Sequence, residues 1–90
     1  MKIKVRYSKL GKSRSWGFAH YEDNSVELDL RLKGKKHLEV ITHEVWHLLF
    51  PDMSEEDVIK NSVLLTNVLW QDGYRKVDNS NNEPMQDGTL

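Results

Sequence analysis

The chain has 90 residues, enough for one compact domain, and this size is near the lower limit at which burial alone stabilises a fold. It contains no cysteine, which excludes disulfides and thiolate metal sites and leaves histidine and carboxylate as the strong metal ligands. No stretch has the length and apolar character of a signal peptide or a membrane span. The sequence therefore predicts a cytoplasmic protein with no membrane contact.

The net charge is only -1, but basic and acidic residues are unevenly distributed along the chain. Residues 1–36 contain 10 basic and 4 acidic side chains, whereas residues 37–90 contain 3 basic and 10 acidic ones. The favoured interpretation is that the two parts attract each other and expose solvated charged faces. Binding of nucleic acid by the basic part is the less favoured alternative.

Alternating polar and apolar residues in the first part of the chain predict three strands. Residues 2–7 alternate charged and apolar side chains, and residues 16–22 form a second candidate strand. Residues 26–32 alternate most regularly, with four apolar side chains on one face: Val26, Leu28, Leu30 and Leu32. A polar turn at residues 23–25 lies between the last two segments, so we expect them to form a hairpin.

The period of the apolar residues then changes to that of a helix. Residues 37–50 form the first predicted helix, and Pro51 ends it because proline disfavours helical geometry in the residue before it. Ser54 is the predicted N-cap of a second helix at residues 55–70, with Gly73 just past its end.

We expect a single domain at residues 1–77, with a short extended piece at residues 74–77. The last segment, residues 78–90, has almost no apolar side chain to bury and is predicted to be a disordered tail.

The first predicted helix carries two histidines four residues apart. His43 and His47 lie about 40° apart around the helix, so both imidazoles can reach one ion. The predicted core face lies on the opposite side: Leu38, Ile41, Val45, Leu48 and Leu49. Neutral imidazole is a good zinc ligand, so this spacing predicts a zinc site.

Glu44 lies between the ligand face and the core face of the predicted helix, where its carboxylate could contact a water on the metal. Zinc lowers the pKa of a bound water to about 7, and a neighbouring carboxylate can take its proton. Glu44 is therefore the candidate general base, and hydrolysis is the expected chemistry.

A catalytic zinc normally has three protein ligands and one open position. No histidine follows His47, so the third ligand is an earlier histidine or a carboxylate that the second helix brings back beside the first. Glu55 is the first choice because it shares the helix side of Val58, and Glu56 is its main rival. Asp57 is expected to serve the helix cap.

Several other residues have weaker claims to a role at the site. His20 and His37 are expected to be surface or capping residues, not ligands. Trp46 is expected to border the site. Stabilisation of an oxyanion by Tyr74 or Arg75 is a minor hypothesis that rests on residue type.

Residues 42–58, THEVWHLLFPDMSEEDV, resemble small zincin-like metallopeptidases often carried by phages and mobile elements, with a layout related to ImmA/IrrE-type gluzincins. The resemblance covers most of the chain and implies a minimal α+β fold, a three-stranded sheet followed by an HExxH helix and a second helix. It implies that His43 and His47 are zinc ligands, that Glu44 is the general base, and that an acid within residues 54–57 is the third ligand. Phe50 and Met53 stand where the metzincin extension has glycine and histidine.

The expected function is zinc-dependent hydrolysis of a peptide or protein substrate held at a sheet edge. The alternative is a zinc-stabilised regulatory or protein-binding module without catalysis.

Overall fold

A computed structural model describes residues 1–11 and 15–77. It contains three strands followed by two helices: β1 (Lys4–Ser8), β2 (Gly17–His20), β3 (Ser25–Asp29), α1 (Gly34–Leu49) and α2 (Glu55–Gln71). The predicted α+β architecture, a sheet followed by two helices, is confirmed. The predicted disordered tail at residues 78–90 lies outside the described residues. Neither helix is long and apolar enough to cross a membrane.

The sheet has the order β1-β3-β2, so the last strand in the sequence is the central one. β2 and β3 are antiparallel neighbours, which confirms the predicted hairpin, and β1 pairs with β3 in parallel. Val26 and Leu28 on the central strand are fully buried, and Leu28 packs in a core cluster with Leu32 and Val40. The sheet therefore presents its apolar face to α1 and leaves β1 and β2 as its two edges.

β3 ends at Asp29, three residues before the predicted end. The buried Asp29 carboxylate accepts hydrogen bonds from the Arg31 backbone N–H at 2.8 Å, the Arg31 guanidinium at 2.9 and 3.0 Å, and the Leu10 backbone N–H at 3.0 Å. The Arg31 side chain, followed by the backbone donors, holds the pKa of Asp29 well below its usual range. This turn leaves Leu30 56% exposed, so the prediction that it shares one face with Val26, Leu28 and Leu32, which are buried, is wrong.

α1 begins at Gly34, three residues earlier than predicted, and its buried stripe differs from the predicted one. His37, Val40 and Leu48 are buried, whereas Leu49, expected in the core, is 49% exposed. Glu44 lies on the same side of the helix as His37 and Leu48, by 100° per residue. The stripe that faces the sheet therefore includes the candidate general base.

α2 begins at the predicted residue and packs on α1 through small and polar side chains. The Ser54 hydroxyl accepts the Asp57 backbone N–H at 3.2 Å, which confirms the predicted N-cap. The buried side of the helix is formed by Val58, Ser62 and Thr66. The Thr66 hydroxyl lies 2.9 Å from the Thr42 hydroxyl of α1, so a hydrogen bond joins the two helices.

Gly73 ends α2 with φ of 90°, the left-handed conformation expected of a glycine just past a helix. Residues 74–77 follow without a strand, so the predicted extended piece is not part of the sheet.

Candidate metal centre

Three side chains from the two helices converge at one point. The Nε2 atoms of His43 and His47 lie 3.2 Å apart. The Glu55 carboxylate reaches both rings, with Oε2 3.2 Å from His43 Nε2 and Oε1 2.9 Å from His47 Nε2. Within the described part of the chain, these three residues form a group that could hold a metal ion.

The distances fit a single small ion between the three ligands. With metal–ligand bonds of about 2.0–2.1 Å, the ligand atoms of a tetrahedral site lie roughly 3.3 Å apart. The two histidine nitrogens are 3.2 Å apart, close to that value, and each lies 2.9 to 3.2 Å from a different oxygen of the Glu55 carboxylate. Two imidazole nitrogens and one carboxylate also form a donor set that suits zinc and leaves a fourth position for another ligand.

The break between the helices explains why Glu55 reaches the histidines. Phe50 caps α1 through its backbone N–H to Trp46 at 2.9 Å, and Ser54 starts α2 after a short turn. Glu55 is therefore the first residue of α2, on the side that faces α1. Glu56, the rival ligand, is exposed and is not a member of the His-His-Glu group.

Glu44 is next to His43 in the sequence and lies between α1 and the sheet. Burial raises the pKa of its carboxyl group, the histidines beside it act in the opposite direction, and Glu55 raises the pKa further. Burial is the largest of these effects, so the carboxyl group holds a proton more readily than an exposed glutamate does. This property suits a group that accepts and returns a proton near neutral pH.

A cleft runs between α1 and the start of β2, and the candidate base and one ligand lie in its wall. Its volume is about 190 Å³. The lining residues come from the segment entering β2 and from one side of α1: Ser15, Trp16, Gly17, Lys36, Glu39, Val40, His43 and Glu44. The aromatic residue in this wall is Trp16, whereas Trp46, which we expected to border the site, packs against Phe50 at 5.5 Å between ring centres.

Gly17 allows β2 to approach α1 closely. A Cβ atom at this position would lie 3.0 Å from Val40 Cγ1, 3.1 Å from Glu44 Cγ and 3.2 Å from the Glu27 carbonyl oxygen. This role could not be predicted from the sequence, because one glycine at the start of a strand does not reveal which helix will pack on it. The only indication in the sequence was a glycine, which has no side chain, between the bulky residues Trp16 and Phe18.

The other two histidines lie outside the His-His-Glu group, as expected, but His37 is buried, so its predicted position at the surface or the helix cap is wrong. His20 pairs with Glu27 on the sheet at 2.9 Å, and the Ser8 hydroxyl donates to the same carboxylate. His37 Nε2 lies 2.8 Å from the Tyr7 hydroxyl, and burial followed by the charge of Lys76 lowers its pKa.

The hypothesis of an oxyanion role for Arg75 is not supported by its position. Its guanidinium stacks on Trp70, 3.4 Å from the ring centre, and donates to the Trp70 carbonyl at 2.9 Å. Trp70 is at the end of α2 remote from Glu55, roughly 22 Å away at 1.5 Å per residue. Tyr74 follows at the same end and is 60% exposed.

Comparison with known proteins gives no match to a family model, to a curated protein or to a solved structure. A function for this chain is therefore inferred from the geometry of its own residues.

Proposed function

We propose that this protein is a zinc metallopeptidase in which His43, His47 and Glu55 bind the metal and Glu44 is the general base. The observation that carries this proposal is the convergence of two imidazole nitrogens, 3.2 Å apart, with a carboxylate that has an oxygen within 3.2 Å of each nitrogen. The assignment to the zincin class rests on the resemblance of the segment that contains the HExxH motif.

Bound zinc supplies Lewis acidity, which activates a water molecule for attack on a peptide carbonyl. Glu44 then accepts a proton from the attacking water and delivers it to the nitrogen of the departing amine. Glu44 lines the same cleft as the ligand His43, so its carboxylate lies on the side of α1 where such a water would be held. His43, His47 and Glu55 would hold the metal.

The position of β2 supports an extended peptide as substrate. β2 is an edge strand, and the segment that enters it lines the same cleft as His43 and Glu44. A peptide that adds to such an edge gains main-chain hydrogen bonds, which require little sequence preference. The small cleft agrees with a substrate recognised largely through its backbone.

The metal is tested by measuring the zinc content of untagged protein by mass spectrometry. The wild-type chain should carry one equivalent, and His43→Ala and Glu55→Gln should lose it. Glu56→Gln is the matched control, because it removes a neighbouring charge from an exposed residue outside the group. A wild-type chain that binds no zinc would refute the proposal, and zinc loss in Glu56→Gln alone would refute the ligand assignment.

Catalysis is tested with Glu44→Gln, using fluorescein-labelled casein as substrate. This variant should keep its zinc and lose cleavage, because the amide cannot accept the proton from water. Glu39→Gln is the control, since Glu39 lines the same cleft and lies five residues before Glu44 on α1. Equal cleavage by Glu44→Gln and wild type would rule out Glu44 as the base. A zinc-bound wild type without any cleavage would favour the non-catalytic binding module.

A further inference from the structure

Cationic side chains gather at the end of the helix pair that is remote from the candidate metal centre. Lys33 and Lys35 flank Gly34, the first residue of α1, and Arg75 and Lys76 follow α2. All four side chains are exposed, and we call them the basic end. The two lysines of α1 belong to the basic part of the sequence and the other two cations to the acidic part, so this surface exists only in the folded chain.

The ring of Trp70 joins the end of α2 to the start of α1. A Cβ atom at Gly34 would lie 3.9 Å from Trp70 Cη2, so the ring packs beside the first turn of α1. The Arg75 guanidinium stacks on the same ring, 3.4 Å from its centre. Arg75 is therefore held beside Lys33 and Lys35, although these residues are far apart in the sequence.

Lys76 reaches the same turn of α1 from the side of the sheet. Its ammonium group donates to the Tyr7 hydroxyl at 3.2 Å and lies 4.2 Å from the centre of the Tyr7 ring. The Tyr7 hydroxyl is in turn 2.8 Å from Nε2 of His37, in the first turn of α1. Two aromatic rings thus fix both cations that follow α2 next to the lysines of α1.

No carboxylate neutralises the basic end. The first turn of α1 contains no acidic residue, and within residues 1–11 and 15–77 none of the four cations forms a salt bridge, not even with Asp72 at the end of α2. Acidic side chains gather at the opposite end of the helix pair: Asp52, Glu55, Glu56 and Asp57. Unpaired cations held together raise the local positive potential, which attracts an anionic partner.

Aromatic and guanidinium planes lie among these cations. Tyr74 is mostly exposed between α2 and Arg75, and the guanidinium of Arg75 extends the Trp70 ring into an exposed stack. Nucleobases stack on aromatic rings and on guanidinium planes, whereas phosphates pair with lysine. A duplex hides the faces of its bases, so the combination fits a single strand, in which those faces are free.

We propose that the basic end binds single-stranded nucleic acid. Its three lysines contact phosphates, and Tyr74 and Arg75 contact bases. This surface is separate from the candidate metal centre, because Trp70 and Glu55 lie at opposite ends of α2. Binding therefore requires neither zinc nor catalysis.

The experiment measures binding of a fluorescein-labelled oligothymidylate to the full chain by fluorescence anisotropy at several salt concentrations. A single strand releases about 0.7 counterion per phosphate contact, so three lysines predict a slope of about 2 for log Kd against log salt. The Kd should therefore rise about 20-fold between about 50 and 200 mM salt. No binding at the lower salt concentration, or a Kd that does not depend on salt, would overturn the inference.

Lys35→Gln tests the phosphate contacts. It should weaken binding about fivefold and lower the slope by about 0.7, because one phosphate contact is lost. Lys60→Gln is the matched control, since Lys60 is an exposed lysine of α2 outside the basic end, and it should leave both quantities nearly unchanged. Equal effects of the two substitutions would overturn the placement of the strand.

Tyr74→Ala tests the base contacts. It should weaken binding about tenfold without changing the slope, because stacking on a base involves no counterion. Tyr21→Ala, which alters an exposed tyrosine in the turn between β2 and β3, should have no effect. Equal effects of these two variants would overturn the stacking role.

Two other ligands separate a single strand from other anionic surfaces. A duplex of the same length should bind at least about tenfold more weakly, because its bases are not free to stack on Tyr74. Equal affinity for the duplex would overturn the specificity for a single strand. Binding to phosphatidylglycerol vesicles without binding to the oligothymidylate would overturn the inference and assign the basic end to a membrane surface.

Discussion

Gly17→Ala changes the contact between β2 and the candidate base by a single methyl group. The added Cβ would lie 3.0 to 3.2 Å from Val40, Glu44 and the Glu27 carbonyl, where an ordinary contact needs at least 3.4 Å. The Glu27 carbonyl belongs to the central strand and Val40 is buried, so both are held in place. Glu44 is the neighbour with a flexible side chain. We therefore expect the Glu44 carboxylate to move by a few tenths of an ångström.

The size of the effect follows from this displacement. A misplacement of about 1 Å at a reacting group can cost about 100-fold in rate, so a shift of about 0.3 Å should lower kcat about fourfold. Overpacking of this kind typically costs about 1–3 kcal/mol. At roughly 4–8 °C per kcal/mol for a domain of this size, the Tm should fall by at least about 5 °C. Zinc affinity should be nearly unchanged, because the three atoms nearest the new methyl group belong to Val40, Glu44 and Glu27 and not to a metal ligand.

The assay compares kcat and KM on labelled casein, zinc affinity by competition with a chelating dye, and Tm by circular dichroism. Gly11→Ala is the control, because among the described residues the atoms nearest to its Cβ would be those of the Arg31 side chain, at 3.4 Å or more. An unchanged kcat in folded Gly17→Ala would refute the argument that β2 positions Glu44. A parallel loss of zinc would show that the methyl group disturbs the metal ligands as well.

Three further predictions concern stability. Val58→Ala should lower the free energy of unfolding by about 2–3 kcal/mol, because each lost methylene costs about 0.8 kcal/mol and the substitution leaves a cavity. The control Ile59→Ala should cost less than about 1 kcal/mol, since Ile59 is 48% exposed. Equal losses of stability in chemical denaturation would contradict this packing. Asp29 has a folded-state pKa below its usual 3.8, so its stabilising contribution is complete above that pH and is lost as pH falls toward the folded value. The Tm of wild type should therefore decline more steeply below about pH 5 than that of Asp29→Asn, and parallel declines would exclude this role. When free zinc is present at about 100 times its Kd, its removal by a chelator should lower the Tm by about 10 °C or more. A Tm that does not depend on zinc would contradict coupling of metal binding to folding.

The parts of the site that depend on local helical spacing could be predicted from the sequence. The four-residue interval brings His43 and His47 to one side of α1 because side chains one turn apart are neighbours on any helix. Glu55 was preferred over Glu56 for a similar reason, and the structure brings Glu55 to the histidines. The turn before α2 and the N-cap at Ser54 could also be predicted from the sequence, since proline and a capping hydroxyl act on residues close to them in the chain.

Features that depend on contacts between distant segments could not be predicted. The strand pattern placed Leu30 in the core, but the hydrogen bonds of Asp29 turn the chain first and leave Leu30 exposed. The helical wheel placed Leu49 inward, whereas the approach of β2 selects the side of α1 that contains Val40 and Glu44. The parallel pairing of β1 with β3 likewise depends on a long connection that alternation along one strand cannot reveal.

The candidate site therefore has two structural supports that should act on different steps. Packing of α2 against α1, through Val58 and the Thr42–Thr66 hydrogen bond, determines where Glu55 meets the histidines and so should govern metal affinity. Packing of β2 against α1, which requires Gly17, determines where Glu44 lies and so should govern turnover. Because the two contacts are on different sides of α1, substitutions in one should combine nearly additively with substitutions in the other. Strong coupling between them would mean that α1 itself moves as a unit when either contact is weakened.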